Sequence, residues 1–335
     1  MKSAKHLRGL ALALALAVGL GLSGCSTPAP DGSRSGSAGG SAVASAPASV
    51  TIKSLNATKE TIDLEVPYDA RRVAVMDLAA LDILDNLGLG DRVVGASQNS
   101  LDYLADYNGG QVANLGTVKE ADLEAVAAAQ PDVIFIGGRL ARLYDELSQI
   151  APVVFLATDS EKGVIESTRE MTETIAAMFG KEDEVDELMS GFQQRADALK
   201  AASAGSTALV GMYTSGGFNV LGSDGRASLI TNEAGFTNIA DDEVTATHGN
   251  EISFETVVEK DPAYIFVLNR DAAIGRGSEE AAKDVVENEL TRSTTAYRDG
   301  HIVYLEHPGV WYTAEGGVTA LDVMLSDLEG PLGVK

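Results

Sequence analysis

The sequence predicts an α/β protein of two similar lobes, each built on a parallel sheet, joined by a single long helix. Three observations carry this. A pattern of short helix, proline and apolar run occurs twice, 131 residues apart. Each copy is followed by a further strand-length apolar run, Pro152–Leu156 and His301–Leu305. Between the copies lies a stretch of helical composition with no strand signal. At 335 residues, 45% of them hydrophobic, the chain is long enough for two domains with a substantial core.

Taken in chain order, the first element is an export signal. Lys2, Lys5 and Arg8 precede an apolar run from Leu10 to Leu22 that is too short to span a bilayer stably and has the length of a secretory core. The run closes on Leu22-Ser23-Gly24-Cys25, which resembles the bacterial lipoprotein signal. That resemblance implies lipid on Cys25 and removal of residues 1–24. Residues 25–49 are rich in Ser, Ala, Gly and Pro, cannot bury enough apolar surface to fold, and read as a flexible tether. The expected product is a globular body outside the cytoplasm, held at the membrane.

The folded lobes are expected over 50–160 and 182–335. The segment Asp122–Arg139 reads DLEAVAAAQPDVIFIGGR, and Ser253–Arg270 reads SFETVVEKDPAYIFVLNR. They match at Glu124/Glu255, Val126/Val257, Pro131/Pro262, Ile134/Ile265, Phe135/Phe266 and Arg139/Arg270. Each reads as an amphipathic helix, a proline stop and a buried parallel strand. Between the lobes, Ile165, Met171, Ile175, Met178 and Phe179 fall on one helical stripe and Gly180 offers a C-cap, so 161–181 is assigned as the linking helix.

Composition excludes several functions. With 25 Lys and Arg against 49 Asp and Glu, the net charge of −24 leaves no basic surface for nucleic acid. A single cysteine excludes a disulfide framework, a cysteine zinc site and an iron–sulfur cluster. Ligands of open α/β sheets bind beyond the carboxyl ends of the strands, which is where Arg139 and Arg270 fall, one per lobe. Arg226 follows the apolar stretch Phe218–Gly222 in a loop of Gly, Ser and Asp. Guanidinium stays charged and donates in a planar fork, so three converging arginines point to an anionic ligand; pairing with surface carboxylates is the alternative for each. His248 stands in a loop, and His301 and His307 flank one strand, a poor set for a bare zinc or manganese ion. Tyr312, in Gly309–Thr313, reads as a loop residue that either packs or joins His248 on a hard ferric ion whose other ligands are oxygens.

From Val66 onward the chain resembles the iron-siderophore substrate-binding proteins of bacterial ABC importers. It is closest to the catecholate subgroup represented by the enterochelin- and petrobactin-uptake lipoproteins. The stretches that carry the likeness are Arg72–Asp77, Gly137–Arg139, Tyr144–Leu147, Ile150–Pro152, Thr247–Gly249, Asn269-Arg270 and Trp311-Tyr312. The resemblance implies two Rossmann-like lobes and one interdomain helix, the class III periplasmic-binding-protein plan. It implies that Arg139, Arg226 and Arg270 embrace a ferric catecholate, Arg226 in the least family-like surroundings. It implies that His248 and Tyr312 ligate iron left open by a tetradentate siderophore, and that Glu124 and Glu255 dock with the permease of a permease–ATPase pair. It also implies a membrane-anchored monomer, no permanent cofactor, and a ferric siderophore as cargo.

Two other readings remain. A haem or cobalamin receptor can use the same scaffold. An exported α/β enzyme is disfavoured because the sequence has no G-x-S-x-G elbow, P-loop or complete G-x-G-x-x-G after a strand.

Overall fold

The computed structural model describes residues 47–244 and 249–334. Cys25, the expected signal peptide and nearly all of the expected tether lie outside the described residues, as does His248.

The first lobe opens with an antiparallel hairpin, β1 (Ser49–Leu55) and β2 (Thr61–Pro67). Next come β3 (Val73–Val75), helix α1 (Leu78–Asn86), β4 (Val93–Ala96), β5 (Ala113–Asn114), helix α2 (Leu123–Ala128), β6 (Val133–Ile136) and β7 (Val153–Phe155). Strands β3 to β7 form a parallel sheet in the order β5-β4-β3-β6-β7. Their short runs of Val, Ile and Phe are buried on both faces, as a sheet covered by helices requires.

Helix α3 (Val164–Phe179) joins the lobes and ends on Gly180, whose left-handed φ of 64° suits glycine. Its other end has no side-chain cap of its own. Glu233, from the second lobe, supplies it: Glu233 Oε1 accepts from the Ile165 N–H at 3.2 Å and from the Val164 N–H. A β-carbon at Gly163 would stand 2.7 Å from that oxygen, so glycine keeps the approach open.

The second lobe begins with α4 (Phe192–Ser203), then β8 (Thr207–Thr214), β9 (Gly217–Val220), β10 (Thr237–Asn238) and β11 (Asn250–Glu251). It continues with α5 (Phe254–Lys260), β12 (Tyr264–Asn269), the short α6 (Arg270–Ala273), β13 (Ile302–Tyr304), α7 (Pro308–Thr313) and α8 (Val318–Leu332). The sheet runs β11-β9-β8-β12-β13, with β10 also on β8; β8, β12, β13 and β10 are parallel, β9 is antiparallel to β8, and β11 is antiparallel to β9.

The internal repeat reaches into the backbone. Asp122 and Ser253 cap α2 and α5 through the N–H groups of Ala125 and Thr256. Gln130 and Asp261, equivalent residues before the two prolines, both adopt positive φ, 46° and 40°. Ile134 pairs with Val153 across β6–β7, and its equivalent Ile265 pairs with Ile302 across β12–β13. Ile134 and Ile265 each enter an apolar cluster private to one lobe, whereas Phe135 and Phe266 enter one continuous core that spans both lobes and includes α3 and α8. A shared apolar core of that extent makes the lobes one mechanical unit.

The last helix strengthens this. Asp82 of α1 is buried and accepts from the N–H groups of Thr319 and Ala320, at 3.0 and 2.8 Å. It thereby caps α8 from the opposite lobe. A β-carbon at Gly317 would lie 2.2 Å from Asp82 Oδ2.

Candidate functional site at the strand ends

The three arginines reach one residue from three separate segments. Strand β6 runs into Gly137-Gly138; a β-carbon on Gly137 would meet Asp77 Oδ2 at 2.3 Å, so the turn passes close to α1 and delivers Arg139. Arg226 comes from the loop after β9, and Arg270 is the first residue of α6, directly beyond β12. Arg139 Nη2 and Arg226 Nη1 each donate to the Tyr312 carbonyl oxygen at 2.8 Å. Arg270 Nε donates to the Tyr312 hydroxyl at 3.0 Å, while its Nη1 donates to Thr214 Oγ1 at 3.0 Å. The guanidinium carbons lie 5.2, 4.5 and 5.6 Å from the Tyr312 ring centre for Arg139, Arg226 and Arg270, within cation–π range.

Tyr312 is placed by a helix where the sequence reads as a loop. Pro308 starts α7, a position where its missing N–H costs nothing. Asp327 of α8 then fixes α7 from beneath. Its Oδ2 accepts from the backbone N–H of His307 at 3.1 Å and from Trp311 Nε1 at 2.8 Å, and its Oδ1 meets His307 Nδ1 at 2.7 Å. Glu306, His307 and Asp327 bring possible metal-ligand atoms together. Both Asp327 oxygens are already spent on capping α7 and holding Trp311, so this cluster is explained by structure. Trp311 is fully buried, with its indole N–H held by Asp327.

Charge at the site is unusual. Burial by itself would raise the Tyr312 phenol; the Arg270 hydrogen bond, with the charges of Lys119, Arg270 and Arg226, outweighs it and holds the pKa below the ordinary tyrosine value. Arg226 is held low, first by burial and then by repulsion from Arg139, with Glu315 opposing. Glu315 is itself held above the usual carboxylate range by burial, against the pull of Arg226. Lys119 and Glu315 were not singled out by sequence reasoning. Lys119 stands on an exposed loop before α2 with no motif around it; the only signal for Glu315 was its place three residues after Tyr312.

Of the other expected residues, Glu124 and Glu255 are both exposed, each at the second position of its helix, α2 and α5. His248 cannot be placed beside Tyr312, since it lies outside the described residues. Its neighbour Gly249, at φ +78°, sits so close to the Val220 carbonyl that a β-carbon would lie 2.1 Å away. A larger hollow of about 700 Å³ lies elsewhere, between the β1–β2 hairpin and α3. It mixes Lys53, Lys59 and Lys162 with Asp159, Glu170 and Glu173, and Lys53 and Lys162 pair with Asp63 and Glu170, both at 2.6 Å, so charge of neither sign dominates it.

Two α/β lobes with guanidiniums gathered at the strand ends form a site suited to holding an anion. The chain belongs to the periplasmic binding protein family, whose profile matches residues 73–308. Among its relatives is the petrobactin-binding protein YclQ of Bacillus subtilis, 35% identical over 271 residues, covering 80% of this chain and 84% of the relative. The crystal structure of YclQ superposes with a TM-score of 0.77 at 32% identity, covering 85% of this chain and 100% of the other. That of the periplasmic catecholate-siderophore binding protein VctP from Vibrio cholerae gives 0.76 at 29% identity, covering 84% and 100%.

Proposed function

We propose that this protein is the extracytoplasmic binding component of an ABC iron importer, a receptor without enzymatic activity that captures ferric siderophores of the catecholate class. The observation that carries the reading is the convergence of Arg139, Arg226 and Arg270 on Tyr312. Ferric catecholates are anions because each catechol gives two negative oxygens to a trivalent ion. Three guanidiniums, which keep their charge at any physiological pH, neutralise such a complex. The names of the relatives YclQ and VctP point to the same ligand chemistry.

Within this reading, Arg139, Arg226 and Arg270 hold the catecholate oxygens. Tyr312, its phenol already favoured to ionise, gives its oxygen to iron when a tetradentate siderophore leaves two positions open, and His248 takes the other. Glu124 and Glu255, one per lobe, dock with the permease. Lipid on Cys25 tethers a monomer to the membrane, with residues up to 49 as the leash.

Titration of tryptophan fluorescence with ferric catecholates, ferric hydroxamates, haem and cobalamin tests the reading. Trp311 adjoins Tyr312 in sequence, so a ligand at the arginines quenches it. Tight quenching by ferric catecholates is the expected result; preference for haem or cobalamin would replace the ligand class and leave the fold untouched.

A further inference from the structure

Each arginine of the triad has a carboxylate of its own. Arg270 Nη1 lies 3.5 Å from Asp271 Oδ1, while the half-buried Asp77 and Glu315 feel the charges of Arg139 and Arg226. Two of these carboxylates have other work. Asp77 caps α1 through the Ala80 N–H, and Asp271 accepts from the Ser215 N–H at 2.7 Å and Thr214 Oγ1 at 3.4 Å.

Glu315 is different. Its Oε1 accepts from Thr158 Oγ1 at a long 3.3 Å, and its Oε2 is buried with no hydrogen-bond partner. A carboxylate oxygen buried without a hydrogen-bond partner is costly to keep, and the leading charge that offsets the cost is the Arg226 guanidinium. Glu315 and Arg226 together line a hollow of about 220 Å³ with Thr158, Asp159, Ser160 and Asp224. Neither Tyr312 nor the other two arginines border that hollow, so Glu315 and Arg226 share a recess of their own beside the tyrosine cluster.

We propose that Glu315 is a specificity-determining residue: an internal counter-ion that offsets the charge of Arg226 and so limits how strongly the triad binds highly charged anions. This rests on the ferric-catecholate reading above. In the empty site the carboxylate relieves the mutual repulsion of three guanidiniums. In the loaded site it repels the ligand, and repulsion scales with ligand charge. A trianionic ferric tris-catecholate is therefore penalised more than a monoanionic ferric bis-catecholate, and Glu315 biases the receptor toward the tetradentate class that leaves room for Tyr312. Glu233 adds to the negative field at Glu315, and the exposed Asp159 and Asp224 line the same hollow.

The test is Glu315→Gln in the whole protein, which preserves an acceptor for Thr158 and removes only the charge; Thr158→Val, which removes the hydroxyl and keeps the charge, is the control. Dissociation constants are measured for a ferric tris-catecholate and a ferric bis-catecholate at low and high salt. Glu315→Gln is expected to tighten the tris-catecholate by about tenfold or more at low salt, and the bis-catecholate by clearly less, because the repulsion removed scales with ligand charge and is screened by salt. Thr158→Val should leave the ratio between the two ligands unchanged. Equal or weaker tris-catecholate binding by Glu315→Gln, in a protein whose wild type binds well, overturns the inference alone. Wild-type protein that binds neither complex overturns the functional reading and this inference with it.

Discussion

Arg270 donates from Nε to the hydroxyl oxygen of Tyr312 at 3.0 Å, so the phenol is held through the same oxygen that we propose binds iron. A hydrogen bond from a permanent cation favours the phenolate over the phenol. It also makes the oxygen ready to exchange one cationic partner for another.

The first prediction concerns that phenol. Tyr103, Tyr107, Tyr144 and Tyr304 are all pushed up, chiefly by burial, whereas Tyr312 is held low by its cationic neighbours despite burial. Ultraviolet titration of the ligand-free protein should therefore show an early tyrosine step that disappears in Tyr312→Phe and moves to higher pH in Arg270→Gln. With a tetradentate ferric catecholate bound, Tyr312→Phe should also change the visible charge-transfer band. A spectrum and an early titration step that both survive the substitution would remove Tyr312 from the iron.

The arginines give the second. Charge-assisted hydrogen bonds contribute about 1.5–3 kcal/mol each, so Arg139→Gln and Arg270→Gln should each weaken a ferric catecholate by roughly 10- to 150-fold. The losses should shrink at high salt, because the site opens to solvent and is screened. Stability should change little for Arg139→Gln, since Arg226 still donates to the same Tyr312 carbonyl. Calorimetric titration at two ionic strengths reads both effects, and salt-independent losses would point to distorted packing instead of lost charge.

Asp82 sets the third. Burial pushes its pKa up to about 6 from 3.8, against the N–H groups of Ala320 and Thr319 that favour the ionised form. An acid with a raised folded pKa binds its proton more tightly when folded. Its stabilising contribution is complete below about pH 4, the unfolded value, and is lost as pH rises through about 6. A shift of about two units corresponds to about 3 kcal/mol. Burial holds Asp77, Glu233 and Glu315 high as well, which adds slope of the same sign. Denaturant unfolding should therefore show greater stability at pH 5 than at pH 7.5, with a visibly flatter profile in Asp82→Asn. Stability that rises across this interval would contradict the assignment.

What the sequence disclosed and what it hid divide along a physical line. The repeat was readable because helix, proline and strand are local patterns, and local pattern extends even to the paired positive φ of Gln130 and Asp261. The convergence point of Arg139 and Arg270 followed from where strands end. The caps supplied across the molecule, Glu233 on α3 and Asp82 on α8, link residues 68 or more positions apart and leave no local trace. Helix α7 misled for a related reason. Gly309, Val310, Trp311, Tyr312 and Thr313 are weak helix formers, and the distant Asp327 helps to override that preference. Glu315 was invisible because a lone glutamate after an aromatic pair looks like any surface acid until the fold buries its Oε2.

The last prediction concerns the two acids that the repeat equates. Glu124 and Glu255 are exposed at the second residue of α2 and α5, behind the caps Asp122 and Ser253. A negative side chain there gains about 0.3–1 kcal/mol from the helix dipole, so reversal to lysine costs a small amount of stability at each site. Neither helix contributes a residue to the Tyr312 cluster, so ligand affinity should stay at the wild-type value in Glu124→Lys, Glu255→Lys and the double variant. Uptake of a radiolabelled ferric siderophore by cells should fall in each single variant and fall furthest in the double one, because one docking contact is lost per lobe. Uptake that persists in the double variant at normal expression would show that the permease reads some other surface. A parallel loss of affinity would instead mean that these helices move with the site, which the shared core of the two lobes argues against.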